Sequence, residues 1–193
     1  MLLAACTSMH AANTPPTLQS VALAPGVYAV QGTSGVPDEY NLGRIGNAGF
    51  VVGERGVVAI DTGTSYAHGQ ALLAAITSVT DKPVRLAIVT HTRAEFLFGG
   101  AAFRERGIPV RMHAATAKLM AARCETCLKT LRQTLGDEPM RGTAMYVADQ
   151  SFDATHTLDL IGRPLRVLHF GHSSGPGDSA DFDCMYGTIS GVR

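Results

Sequence analysis

The chain has 193 residues, 46% of them apolar, which suits one ordinary domain with enough hydrocarbon to bury a single core. Sixteen basic side chains balance sixteen acidic ones and neither sign forms a long run, so nucleic acid and acidic membrane surfaces have no electrostatic support as partners. No stretch approaches the roughly 20 apolar residues that span a bilayer.

At the N-terminus, Leu3-Ala4-Ala5-Cys6 resembles the lipobox at which bacterial lipoprotein signals are cut and the cysteine is lipidated. Cys6 would then be the first mature residue, and Thr7 to Ser20, with Pro15 and Pro16, would be a polar tether of an exported, membrane-anchored protein. A signal needs a basic stretch and roughly 7 to 15 apolar residues before the cut, so this reading expects translation to start upstream of Met1. The alternative is a frayed cytosolic N-terminus. Residues 1–24 are thus expected to be a signal remnant and tether, and 25–193 the folded domain.

Gly26 to Gln31 alternates as a short strand, and a Gly-rich loop follows to Gly46. Two apolar runs flank Gly53-Glu-Arg-Gly56 and read as a β-hairpin whose second strand ends at Asp61-Thr-Gly63. Tyr66 to Ser78 fits a helix, Val84 to Thr90 a buried strand, Ala94 to Arg106 a helix with an irregular start, and Ile108 to Met112 a strand. A long helix is predicted from Ala114 to Leu135, carrying Cys124 and Cys127 one turn apart on one face. An oxidising compartment could pair these thiols and the cytosol would leave them reduced. A position in mid-helix without a second ligand pair, with Cys184 far away in sequence, favours a structural role over zinc or thioredoxin-type chemistry. Strands Thr157 to Leu160 and Leu165 to Phe170 follow, hinged at Ile161-Gly-Arg-Pro164, and Ser179 to Arg193 has weak strand character. Hairpins first, then strands alternating with helices, predict an α/β sandwich with a mixed sheet.

Active sites of layered α/β proteins collect beyond the C-terminal ends of strands. Three polar clusters hold that position: Asp61-Thr-Gly63, His91-Thr-Arg-Ala-Glu-Phe-Leu-Phe-Gly99 and His172-Ser-Ser-Gly-Pro-Gly-Asp178. Singly each is weak, because an Asp after a strand is commonly a helix cap and a lone His is commonly packed or solvated.

Their order resembles the metallo-β-lactamase superfamily, over roughly Gly26 to Asp178. That superfamily has a hairpin ending in Asp-Thr-Gly, then His-x-His-x-Asp-His, then a metal-binding His before Gly-Asp. Within it, Asn47-Ala-Gly-Phe-Val-Val, Ala102-Phe-Arg-Glu-Arg-Gly-Ile-Pro109, Arg123-Cys-Glu-Thr-Cys-Leu128 and Leu168-His-Phe-Gly-His172 are most similar to the quinoprotein relay zinc metallohydrolases. Such proteins are exported and named for a link to quinoprotein dehydrogenases. The resemblance implies an αββα-type sandwich, a zinc cofactor and hydrolysis of a substrate that the fold leaves unspecified.

Carried over position by position, the zinc ligands are mostly replaced. His91 matches the first histidine, but the second falls on Arg93, the aspartate on Glu95 and the adjoining histidine on Phe96. Ser174 stands at the later histidine position, with Pro176, Gly177 and Asp178 retained. The metal-bridging aspartate falls near Thr188, and the last histidine lies beyond Arg193. A catalytic zinc takes three protein ligands and activates a water in the fourth position, and a guanidinium repels it. His91, Glu95 and His172 are the candidate ligands, with Asp61 and Glu95 the candidate catalytic carboxylates; otherwise Glu95 simply neutralises Arg93.

The expectation is a zinc-hydrolase-type domain, weakly active or inactive, holding metal weakly or not at all. A non-catalytic binding domain is the alternative, and a truncated or frameshifted reading of an active enzyme a third. A serine hydrolase is the outlying rival, because Gly171-His-Ser-Ser-Gly175 fits a nucleophile elbow with Ser173 as nucleophile. Against it, Gly175-Pro-Gly177 opposes the required helix and no histidine follows His172.

Overall fold

The computed structural model describes residues 17–173, 175–183 and 187–188. Its larger sheet sets seven strands side by side in chain order: β1 (Ser20–Ala24), β2 (Val27–Val30), β3 (Ala48–Val52), β4 (Val57–Ile60), β5 (Val84–Val89), β6 (Val110–His113) and β7 (Gln150–Phe152). The first four pair antiparallel, β1 to β2 and β3 to β4 through short turns and β2 to β3 through the loop 31–47, and β4 to β7 run parallel. Parallel neighbours need crossovers. These are α1 (Tyr66–Val79), then α2 (Ala94–Leu97) with α3 (Gly100–Glu105), then α4 (Ala114–Leu135). A second, antiparallel sheet has the order β11-β10-β9-β8, built from β8 (His156–Leu158), β9 (Leu165–His169), β10 (Ser179–Asp183) and β11 (Gly187–Thr188).

Strand alternation explains the layers. In β4, Val57 and Ala59 pack with the helices while Val58 and Ile60 pack with the second sheet. In β5, Ala87 and Val89 face the helices and Leu86 and Ile88 face Leu158, Ile161, Leu165 and Val167. Both faces of these strands are buried, which is why they read as continuous apolar runs. The described helices all contribute to the first core, so three layers of the expected sandwich are present among the described residues. Along α4, Thr116, Met120, Cys124, Leu131 and Leu135 form the buried stripe, and Gly136 at φ +86° ends the helix.

Four details differ from the sequence reading. The sheet starts at Ser20, ahead of the expected start near Pro25, because Ser20–Ala24 folds back on Val27–Val30. The expected helix from Ala94 to Arg106 is split in two. Its break is fixed by the Thr62 hydroxyl, which lies 2.8 Å from the carbonyls of both Phe96 and Leu97, and by Gly99, whose added Cβ would lie 1.8 Å from the Thr62 carbonyl oxygen. β7 carries no periodic signal and exists because its residues pair with β6. Ser173 is followed by a turn and β10 rather than the helix that a nucleophile elbow requires, which removes the structural support for a serine hydrolase. Cys6, Ser174 and Cys184 lie outside the described residues.

Candidate functional site

The polar clusters meet beyond the C-terminal ends of β4, β5 and β6. Asp61 follows β4 with φ +60°, an unfavourable backbone state for a residue with a Cβ. It is buried, and its carboxylate accepts from the Thr90 amide at 2.7 Å and lies 2.7 and 2.9 Å from the Thr90 hydroxyl. The same hydroxyl is 2.6 Å from His91 Nδ1. A hydroxyl has one proton, and the Asp61 carboxylate takes it, so the Thr90 oxygen accepts from His91 Nδ1–H. The lone pair of the neutral ring is thereby left on Nε2. Asp61 thus orients His91 through Thr90.

The loop between β9 and β10 closes over this group. The Ser179 amide donates to the Thr90 carbonyl at 3.0 Å, and the Thr116 hydroxyl near the start of α4 donates to the Gly177 carbonyl at 3.1 Å. Gly177 must be glycine, since a Cβ would lie 2.3 Å from Thr116 Oγ1. Asp178 Oδ2 accepts from the Gly175 amide at 2.9 Å and stands 3.9 Å from His91 Nε2, beyond hydrogen-bond reach.

The other expected site residues are placed less simply. Glu95, 7% exposed, accepts from Arg93 Nε at 2.8 Å. The two side chains close on each other next to His91, whose ring lies 5.2 Å from that of Phe96. His172 and Ser173 are exposed on the β9–β10 loop. Among the described residues of that loop, Asp178 approaches His91. Thr188, in β11, pairs through its backbone with Phe182 of β10.

Beside this group lies a second set of rings. His113 ends β6, caps α4 by accepting the Ala115 amide on Nδ1 at 3.1 Å, and stacks on His169 at 4.0 Å between centroids. Burial and the neighbouring His169 hold its pKa below the usual histidine value, with Asp153 pulling the other way. Sequence reasoning missed His113 because it sits at a strand-to-helix junction with no motif around it. His169 was visible only as part of the Leu168 to His172 run.

A sequence profile of the Metallo-beta-lactamase superfamily matches residues 42–181, well over half of the chain. The chain belongs to the metallo-β-lactamase superfamily. Solved structures agree on the fold. A metallo-beta-lactamase from Pontibacter korlensis superposes with a TM-score of 0.67 at 20% identity, covering 88% of this chain and 68% of that one. A metallo-beta-lactamase from Hirschia baltica gives 0.65 at 18%, covering 88% and 68%. The enzyme TMB-1 gives 0.64 at 18%, covering 88% and 66%. No curated protein sequence matches the chain.

Zinc is the ion to test against a member of this superfamily. Among the described residues, no three His, Cys, Asp or Glu side chains are arranged to hold a metal. At the superfamily's position His91 offers Nε2, but Glu95 is engaged by Arg93, which adds a fixed positive charge. The described donors do not fit a three-ligand zinc there, and no reaction step is derived through one.

Proposed function

We propose that this chain is a metallo-β-lactamase domain of the zinc-hydrolase type whose metal position has been dismantled, leaving it weakly active or inactive as a hydrolase. One observation carries the reading. The Arg93–Glu95 ion pair, with its carboxylate buried, takes the place where the superfamily sets a histidine and an aspartate. Removing a ligand and adding a cation both act against an ion that must shed water to bind. The orienting chain from Asp61 through Thr90 to His91 persists, which supports descent from a working site.

Zinc titration by calorimetry tests this. The parent should carry substoichiometric zinc after desalting. Affinity should rise in Arg93→His, rise less in Ser174→His and be highest in the double variant, because two imidazoles then join His91. One tightly held zinc per parent chain, or equal affinity in all four proteins, would overturn the proposal.

The closer likeness to quinoprotein relay metallohydrolases, and export with a lipid on Cys6, form part of the same proposal. They are supported by the quoted motifs and by Leu3-Ala4-Ala5-Cys6. An in-frame stop codon directly before Met1, with a ribosome-binding site there, would remove the lipoprotein reading. If the domain instead serves as a non-catalytic binding module, restoring zinc affinity would leave its binding partner unaffected.

A further inference from the structure

Helix α4 carries two free thiols one turn apart. Cys124 is buried in the core stripe of the helix, between Met120 and Leu131, and Cys127 is half-buried at the border of that stripe with solvent. The Cys127 thiol donates to the Arg123 carbonyl at 3.7 Å, and the Cys124 thiol interacts with that of Cys127. A reagent from solvent therefore meets Cys127 first, with Cys124 behind it.

Helix geometry decides what this pair can do. Residues three apart on a helix have Cβ atoms about 5–6 Å apart, whereas a relaxed disulfide sets them about 3.5–4.5 Å apart. Joining the two sulfurs therefore pulls the turn out of regular helical geometry, and strain of that kind makes a disulfide easier to reduce. The closed loop is also very short, so it restricts the unfolded chain little and contributes little as a staple. Glu125 and Thr126, between the two thiols, are exposed, so water can take up the peptide groups that the turn releases. Cys124 is held by the core, which leaves the Cys127 side of the turn to move. These features suit a bond that forms and breaks and oppose a permanent one.

We propose that Cys124 and Cys127 form a reversible dithiol–disulfide site that exchanges with small-molecule disulfides of the glutathione class. The Cys127 thiol loses its proton to solvent and the thiolate attacks one sulfur of the external disulfide. That S–S bond breaks, a mixed disulfide forms on Cys127, and the first thiolate leaves and takes a proton from solvent. Cys124 then gives up its proton and its sulfur attacks Cys127 Sγ, expelling the second thiolate, which is protonated in turn. Two electrons pass from the protein to the external disulfide, which departs as two thiols. Burial, with Cys127 adding to it, pushes the Cys124 thiol up to about 12, so the second step is the slow one and the mixed disulfide precedes closure. The site uses none of the residues around His91 and does not rest on the dismantled metal position.

The test equilibrates the full chain, reduced and then freed of reductant, in mixtures of reduced and oxidised glutathione, followed by acid quenching and peptide mass analysis. Cleavage after Arg123 and Lys129 releases Cys124-Glu-Thr-Cys-Leu-Lys129, which holds both thiols and neither Cys6 nor Cys184. In the parent this peptide should pass through a glutathione adduct to a form lighter by two hydrogen atoms, and excess reduced glutathione should return the dithiol. Cys127→Ser should slow its reaction at least about tenfold, because only the buried thiol remains. Cys124→Ser and Cys124→Ala should both stop at the adduct on Cys127. A parent peptide that stays a dithiol in excess oxidised glutathione, that accumulates only the adduct, or that forms a disulfide which excess reduced glutathione leaves intact would overturn the site. Those results come from the parent alone and stand whether or not the variants fold.

Discussion

Acid should destabilise this domain through His68, and the size of the effect follows from its surroundings. The ring is buried under the Asp61-Thr-Gly63 turn, where a Cβ on Gly63 would lie 2.6 Å from it, and its Nδ1 accepts the Thr64 amide at 3.1 Å. Burial, with the Arg44 charge adding to it, pushes its pKa from 6.5 down to about 3. The folded chain keeps His68 neutral while the unfolded chain protonates it below about 6.5, so the unfolded state binds the extra proton. Stability is therefore complete above that value and is lost progressively as pH falls towards the folded pKa. At about 1.4 kcal/mol per unit, a drop from pH 7.5 to pH 5 removes roughly 2 kcal/mol. Urea unfolding at several pH values measures this directly. His68→Asn supplies the control, since its side-chain oxygen can still accept the Thr64 amide but does not titrate. That variant should start lower, from lost packing, and show a slope flatter by about 2 kcal/mol over the same range. Parallel pH slopes for the two proteins would refute the reasoning.

Gly99→Ala should cost about 3 kcal/mol or more, because its Cβ would meet backbone rather than a movable side chain; a urea midpoint like the parent's would show that the α2–α3 break can shift. Thr90→Val should lose about 1–3 kcal/mol and release the tautomer of His91, read by ring nitrogen NMR, while Thr90→Ser should keep both. Cys124 is buried and its thiol is pushed up to about 12, chiefly by burial, with Cys127 adding to it. Iodoacetamide on the native protein should therefore label Cys127 first and reach Cys124 only on unfolding. Equal labelling of the two would contradict the packing of α4.

Local signals made much of this protein legible before its structure was known. The turn Gly53-Glu-Arg-Gly56 between apolar runs is the observed β3–β4 connection, and the periodicity from Ala114 to Leu135 matches α4 at both ends. Such features depend on neighbours in the chain, so composition and spacing suffice. Motif order also put Asp61 and His91 in one site, because residues that leave adjacent parallel strands at the same edge must be close. The edge strand β7 and the break at Gly99 arise from partners distant in sequence, β6 and Thr62. Motif reading retained Asp178 in the β9–β10 loop without giving it a contact, and the hydrogen bond from Ser179 to Thr90 beside it sets its carboxylate 3.9 Å from His91. The histidine cluster is the clearest case. His113, His156 and His169 share no spacing, and only the pairing of four strands in two facing sheets brings His113 and His156 against Phe152 and stacks His169 on His113. Contacts between residues far apart in the chain leave no periodic trace, so tertiary structure alone decides them.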